Sequence, residues 1–271
     1  MLFGRKKCSK CESEYDVVLD TCPACHAQDE EFEKRGVDNK LLWLPWFKQV
    51  LLFLFGWLGL HLLSLLAELI AMPFIKEVNV HYYMLVNGIR YAGVLIAMVI
   101  LLWNSFPRFK RFFNKAAPYL LGLAGGAAIL GATFVYNVIV NIFYQPTVNQ
   151  NQSVANDMVN TYPILCILLL GFVGPIVEEL TYRVGLYTFF NRINKYLAYA
   201  VTIVVFGLIH FNFCAKGDDM INELVNLPIY MISGFLLTLW YDKFGLASSC
   251  VAHIFNNLYS VLMTIIVNYI K

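Results

Sequence analysis

The chain carries seven long apolar runs, at roughly 49–72, 83–104, 118–143, 161–180, 197–214, 226–241 and 246–270. A helix needs about 20 mainly apolar residues to cross a bilayer. In lipid every backbone polar group must be satisfied within the segment, which a helix does by itself. The pattern therefore predicts an all-α polytopic membrane protein with about seven or eight transmembrane helices. The fifth and sixth runs are short. An eighth pass is expected only if the third run, which holds Gly122, Gly125, Gly126 and Gly131, is broken. Composition excludes a single soluble core: 59% of residues are hydrophobic and 14% charged, where soluble domains carry about 25% charged residues. No apolar stretch before a small-residue cleavage site marks a cleavable signal peptide.

Three parts are expected: a cysteine-rich module at 1–30, a charged linker at 31–45 and a transmembrane helical domain at 46–271. Lys and Arg in the short connections set the orientation. The second connection holds Arg108, Lys110, Arg111 and Lys115, the fourth Arg183, Arg192 and Lys195, and the sixth Lys243; the first and fifth hold one lysine each, Lys76 and Lys216, and the third none. This alternation places an integral membrane protein, in a bacterial plasma membrane, with its N-terminus in the cytoplasm and its C-terminus outside. The third connection, 144–160, reads as polar, unpatterned and external. Trp43, Pro45 and Trp46 mark a membrane interface.

The first module contains Cys8-Ser-Lys-Cys11 and Cys22-Pro-Ala-Cys25. Each Cys-x-x-Cys places two thiolates on one tight turn, and two such turns complete a tetrahedral site, so a small structural zinc ribbon is expected. A redox dithiol pair or unligated thiols is the alternative. The insert Glu12 to Thr21 is long enough for a β-hairpin, and His26 is a bystander. Cys166, Cys214 and Cys250 read as small buried apolar residues. Acids and bases are mixed over residues 1–30, which argues against nucleic acid; the ribbon is expected to recruit a protein partner or the substrate.

Ionisable groups at bilayer depth are costly, and they are usually paired and functional. Glu68 and Arg90 read as a structural pair, and His61 as a hydrogen-bonded core histidine. Three clusters remain: Glu178-Glu179 with Arg183, His210, and His253 with Asn256 and Asn257. Adjacent helical residues point about 100° apart, so the two acids have different tasks. Glu179 and Arg183 are spaced i,i+4 and can pair, leaving Glu178 to face the bundle. His253 and Asn257 share a face. A carboxylate, two imidazoles and a carboxamide suit hydrolysis: a desolvated carboxylate takes a proton from water, and the other groups support the nucleophile and the oxyanion. One Glu and two His also satisfy a zinc first shell with an open position, so the residues leave metal-free and metal-assisted chemistry both open.

Glu178-Glu179-x-x-x-Arg183, Phe206-x-x-x-His210 and His253-x-x-x-Asn257, in that order over about 160–260, resemble the CPBP family, the CAAX-protease and bacteriocin-processing (Abi) proteins. The resemblance implies a helical intramembrane endopeptidase acting on membrane-associated or lipophilic peptides, with its cavity open toward the cytosol and the lipid. It implies that Glu178 and His210 activate water, that His253 and Asn257 bind the oxyanion, and that Glu179 and Arg183 are structural. Roles in peptide maturation, self-immunity or signalling follow by family analogy alone. A non-catalytic membrane scaffold or polar pathway of the same fold is the rival reading. Because His210 falls about 20 Å along a helix starting at Lys195, an amphipathic interfacial stretch is expected around Leu186 to Tyr196 to bring the three motifs to one depth.

Overall fold

The computed structural model describes residues 5–16, 19, 21–30, 40–75 and 77–270. Residues 31–39 of the charged linker, and Lys76 of the first connection, lie outside the described residues. In the N-terminal module β1 (Arg5–Lys7) pairs antiparallel with β2 (Glu14–Asp16), with Lys6 opposite Tyr15. The strand within the 12–21 insert therefore finds its partner upstream of the first knuckle. The two strands bracket that knuckle and hold it in place.

The membrane domain consists of α1 (Trp46–Ala71), α2 (Val80–Leu102), α3 (Phe106–Phe113), α4 (Ala117–Phe143), α5 (Gln150–Thr161), α6 (Pro163–Asn191), α7 (Lys195–Leu208), α8 (Asp218–Phe244) and α9 (Leu246–Ile270). Six of these are long and apolar enough to span a bilayer, fewer than the seven or eight expected. The fifth expected span falls short because α7 has only 14 residues. The chain continues through 209–217 without a regular helix. Irregular backbone at such depth is tolerated where it lines a cavity and its polar groups find partners. Here the Asn212 amide donates to Glu223 Oε2 at 3.2 Å, and the Cys214 amide donates to Asn212 Oδ1 at 2.9 Å.

The third run is not broken. α4 is continuous, and its glycines serve close packing. A Cβ on Gly126 would lie 2.4 Å from Phe255 of α9, and one on Gly125 would lie 2.5 Å from Trp240 of α8. The third connection is also more ordered than its composition suggests. Asn149 caps α5 by accepting from the Gln152 amide at 3.0 Å, and Met158 and Val159 are buried against α6 and α9.

One end of the bundle collects the basic residues. Asp242 binds Lys40 at 3.0 Å and Lys195 at 2.6 Å, and it accepts from Tyr187 and Tyr199. Arg192 donates to Gln49 Oε1 and to the Leu44 carbonyl. At the far end His81 meets Tyr162, and Asn268 meets Asn160. α9 runs from the basic end to the far end, so residue 40 and residue 270 lie at opposite ends.

Cys166 and Cys250 are buried as expected, whereas Cys214 is exposed on the 209–217 segment. Glu68 and Arg90 do not form the expected pair. Among the described residues no carboxylate lies within ion-pair distance of Arg90, whose guanidinium sits 5.2 Å from the Tyr91 ring and lines a cavity. His61 bonds the Trp57 carbonyl at 2.7 Å as expected, but it is exposed instead of lying in the core.

Candidate active site and metal centre

The acid pair lies in the middle of α6, not at its end. The apolar run was expected to stop near residue 180, but the helix continues to Asn191 through buried Leu186, Tyr187 and Thr188. The stretch expected to be interfacial at 186–196 is not one element: Leu186, Tyr187 and Thr188 belong to the buried continuation of α6, whereas Ile193 to Tyr196 form the exposed turn and the start of α7. The continuation of α6 also removes the mismatch in depth. At about 1.5 Å per residue, Glu178 lies about 20 Å before the end of α6 at Asn191, and His210 lies about as far beyond the start of α7 at Lys195.

α6 is not a regular helix. Pro175 lacks the N–H that a regular turn would use, and the helix widens into π-type turns at Leu169–Val173, just before it, and again at Glu179–Tyr187. Wide turns of this kind recur at functional sites. A close approach of α1 fixes the second: a Cβ on Gly56 would fall 1.7 Å from Thr181 Oγ1, and one on Gly185 would fall 2.8 Å from the Phe53 backbone nitrogen.

Around this helix the acids separate. Glu179 and Arg183 are both fully buried, with Arg183 Nε 3.4 Å from Glu179 Oε1. The guanidinium stacks 4.5 Å over the Phe206 ring and donates to the Gly234 carbonyl at 3.5 Å. Glu178 faces the cavity. His253, from α9, reaches both acids: its Nδ1 is 2.9 Å from Glu179 Oε1 and its Nε2 is 3.6 Å from Glu178 Oε2. The Tyr91 hydroxyl donates to Glu178 Oε1 at 3.5 Å.

His210 and Asn257 stand further off. Both line the large cavity together with Glu178 and His253. Among the described residues no hydrogen bond or ion pair joins His210 to Glu178 or His253. The Phe206 ring meets both imidazoles edge-on, at 5.3 Å from His210 and 5.9 Å from His253. His210 stacks on Tyr230 with centroids 4.4 Å apart, and its Nδ1 lies 3.5 Å from Asn151 Nδ2. Asn257 donates to the Leu170 carbonyl at 3.1 Å, so it bridges α9 to the first wide turn of α6.

The motifs alone do not reveal Tyr91, Tyr230, Arg90 and Asn151, which come from helices outside or between them. For Asn151 a signal was available. Val154, Ala155, Met158 and Val159 repeat with helical spacing after Asn149, a residue type suited to a helix cap.

In the N-terminal module the four thiols converge. The Sγ atoms of Cys8, Cys11, Cys22 and Cys25 all lie within 4.8 Å of one another. The Cys8–Cys25 and Cys11–Cys22 separations are each 3.6 Å; metal–sulfur bonds of about 2.3 Å in a tetrahedron imply edges of about 3.8 Å. The two knuckles share one backbone pattern. The amides of Glu12 and His26 donate to the carbonyls of Cys8 and Cys22, and the amides of Cys8 and Cys22 donate to the carbonyls of Ser13 and Ala27. Glu12 and His26 both adopt positive φ, at 60° and 55°, which turns the chain after each second cysteine. The Ser13 hydroxyl and amide draw the Cys11 thiol down to about 6. The Ala27 amide pulls Cys25 the same way, but the neighbouring Cys11 and burial outweigh it and push Cys25 up to about 12. Four crowded sulfurs cannot all ionise comfortably without a cation among them. The cluster can hold a metal such as zinc.

The fold and site define a polytopic helical membrane protein in which a buried acid–histidine cluster opens into a cavity. Residues 160–259 match the family model described as Rce1-like, type II CAAX prenyl endopeptidase Rce1-like, so the chain carries an Rce1-like domain over that stretch. The matched stretch contains all three motifs.

Among curated proteins, an uncharacterized protein of Mycoplasma capricolum subsp. capricolum is 28% identical over 204 residues, covering 70% of this chain and 57% of that protein. UPF0177 protein YvdC of Lactococcus lactis subsp. lactis is 22% identical over 165 residues, covering 60% of this chain and 56% of that protein. UPF0177 protein YbdI of the same organism is 29% identical over 118 residues, covering 43% and 64%. The chain thus spans little more than half the length of the curated relatives it matches first. No solved structure gives a significant match.

Proposed function

We propose that the chain is an intramembrane endopeptidase that hydrolyses membrane-associated or lipophilic peptides with a water activated by Glu178. One observation carries the reading. A buried carboxylate on α6 and two imidazoles, one from α9 and one from the segment that follows α7, line a single cavity, within the stretch that matches the Rce1-like family. Glu178 takes a proton from water as the water oxygen bonds to the peptide carbonyl carbon. The same carboxyl returns that proton to the leaving amine as the C–N bond breaks. His210 faces the same space and orients the water. His253, held at Nδ1 by Glu179, presents Nε2 toward Glu178 and the reacting carbonyl; with a proton on each ring nitrogen it donates from Nε2, alongside the Asn257 carboxamide N–H, to the developing oxyanion.

Among the described residues the only set of three or more His, Cys, Asp or Glu side chains brought within metal-ligand reach of each other is the four-cysteine cluster. In this reading Glu178, His210 and His253 share a water and a substrate across the cavity that they line. In the ribbon we propose a structural zinc held by Cys8, Cys11, Cys22 and Cys25, which ties the two knuckles together in a module too small to have much core of its own. The exposed face of that module is the surface on which a protein partner would dock.

The test is a comparison of membrane-associated peptides in cells carrying the wild-type chain or Glu178→Gln, paired with the purified proteins. Fragments that require the wild-type carboxylate support the peptidase. A purified Glu178→Gln chain that cleaves at the wild-type rate removes the mechanism, and full biological activity in that variant returns the chain to the scaffold reading.

A further inference from the structure

We propose that the large cavity is a vestibule for a neutral peptide main chain arriving from the membrane face opposite the basic end of the bundle, which is the reverse of the cytosolic opening expected from the resemblance. The part that concerns cleavage rests on the peptidase reading; the side of entry does not.

The direction of the cavity is given by what lines it. Its volume is about 1270 Å³, and from Glu178 and His253 its wall runs only toward the far end, to Asn141 on α4, Asn160 on α5, Asn226 on α8 and Asn268 on α9. Among the described residues, none that lines the cavity falls in 40–48, 101–117, 188–200 or 240–250, the segments that build the basic end. On α9 the wall extends from His253 to Asn268, about 22 Å at 1.5 Å per residue.

The sidedness follows from charge. The basic end holds Lys40, Lys48, Arg108, Arg192, Lys195 and Lys243, whereas the far connections carry acids such as Asp157 and Asp218 and few bases. Lys and Arg are retained on the cytoplasmic side of short connections. The vestibule therefore opens away from the cytoplasm.

The wall chemistry selects the occupant. It is rich in asparagine, and among the described residues its only ionisable Asp, Glu, Lys, Arg or His side chains are those of Arg90, Glu178, His210 and His253. A carboxamide both donates and accepts hydrogen bonds, as do the N–H and C=O of an extended peptide. A phosphorylated or otherwise highly anionic ligand would find a single guanidinium. The volume exceeds the roughly 300–1000 Å³ usual for small-molecule pockets and suits several residues of main chain.

The test uses the full-length chain in intact cells. Thr264 lines the cavity on α9 and is not part of the proposed machinery. In a Cys214→Ser background, Thr264→Cys is treated with a membrane-impermeant maleimide. The expected result is labelling in intact cells, slowed at least threefold by the impermeant peptide acetyl-(Ala-Ser)5-amide and not by an oligoglutamate of equal length. Labelling only after permeabilisation overturns the direction. Equal labelling with and without the neutral peptide overturns the peptide vestibule and leaves a water channel.

Two single-span reporters, with the same neutral stretch placed just outside or just inside the membrane, separate the two readings. Shortening of the outer reporter alone supports both. Shortening of the inner reporter alone overturns the vestibule while the peptidase stands. Shortening of neither, with Thr264→Cys labelled from outside and protected, supports the vestibule while the peptidase falls.

Discussion

His253 Nδ1 lies 2.9 Å from Oε1 of Glu179, the acid that also receives Arg183. A carboxylate that accepts from one ring nitrogen sets the tautomer and aims the other. Here the other nitrogen faces Glu178. The two adjacent acids thus reach the same ring from opposite sides, one as its anchor and one across the cavity. In the proposed mechanism Glu179 would be a positioning residue as well as a structural one.

The acids should separate in mutation. Glu178→Gln is expected to lower peptide cleavage by at least about a hundredfold, the range for loss of a general base, with thermal stability in detergent unchanged. Glu179→Gln leaves Arg183 buried without its ion-pair partner. Breaking a buried pair costs about 3–5 kcal/mol, so this variant should show a clearly lowered melting temperature and poor recovery. Equal melting temperatures for the two variants would contradict the division.

Tyr91→Phe removes the hydroxyl 3.5 Å from Glu178 and little else. A hydrogen bond to a charged group contributes about 1.5–3 kcal/mol at good geometry, and this one is long. The expected loss is about three- to tenfold in kcat with KM retained. A change confined to KM would place Tyr91 in substrate binding instead.

Glycine 56 tests the packing that shapes the second wide turn. Gly56→Ala drives a methyl into Thr181 and is expected to destabilise by about 1–3 kcal/mol, as overpacked cores do. Gly131→Ala is the control, because a Cβ there meets nothing within 4 Å. Thermal unfolding of the two variants in the same detergent should differ by several degrees. Pairing Gly56→Ala with Thr181→Ala, which removes both the Oγ1 at 1.7 Å and the Cγ2 at 2.5 Å, should recover part of the loss.

The ribbon should hold one zinc ion per chain. Elemental analysis of the purified full-length protein is expected to show it, and Cys11→Ser with Cys22→Ser should remove it. Zinc retained by the double variant would place the metal elsewhere, and no metal in the wild type would leave the thiols to redox chemistry.

Helix number shows how sequence and tertiary structure divide the information. Six long spans were legible because burial in lipid demands unbroken apolar length. The 197–214 run was misread as a span because hydropathy does not register where a helix stops. α7 ends at Leu208, and the next residues leave the helix where a cavity and the Glu223 carboxylate replace the missing backbone partners. In the same way, the continuation of α6 to Asn191 rests on Arg183, Tyr187 and Thr188 being buried by other helices, and a polar residue's partners in space cannot be read from its neighbours in sequence.

The sequence by itself determined a membrane-embedded, all-helical chain, a pair of cysteine knuckles, and three polar motifs separated into candidate base, support and histidine sites. Local spacing suffices for these, because thiols two residues apart share a turn and acids next to one another diverge around a helix. Only the tertiary structure decided that one histidine joins both acids, that Phe206 stands between the imidazoles, that Arg90 faces a cavity without Glu68, and that this cavity runs toward the far end. Each of these depends on contacts between helices distant in sequence, whose rotation and depth are set by packing at glycines, wide turns and buried ion pairs.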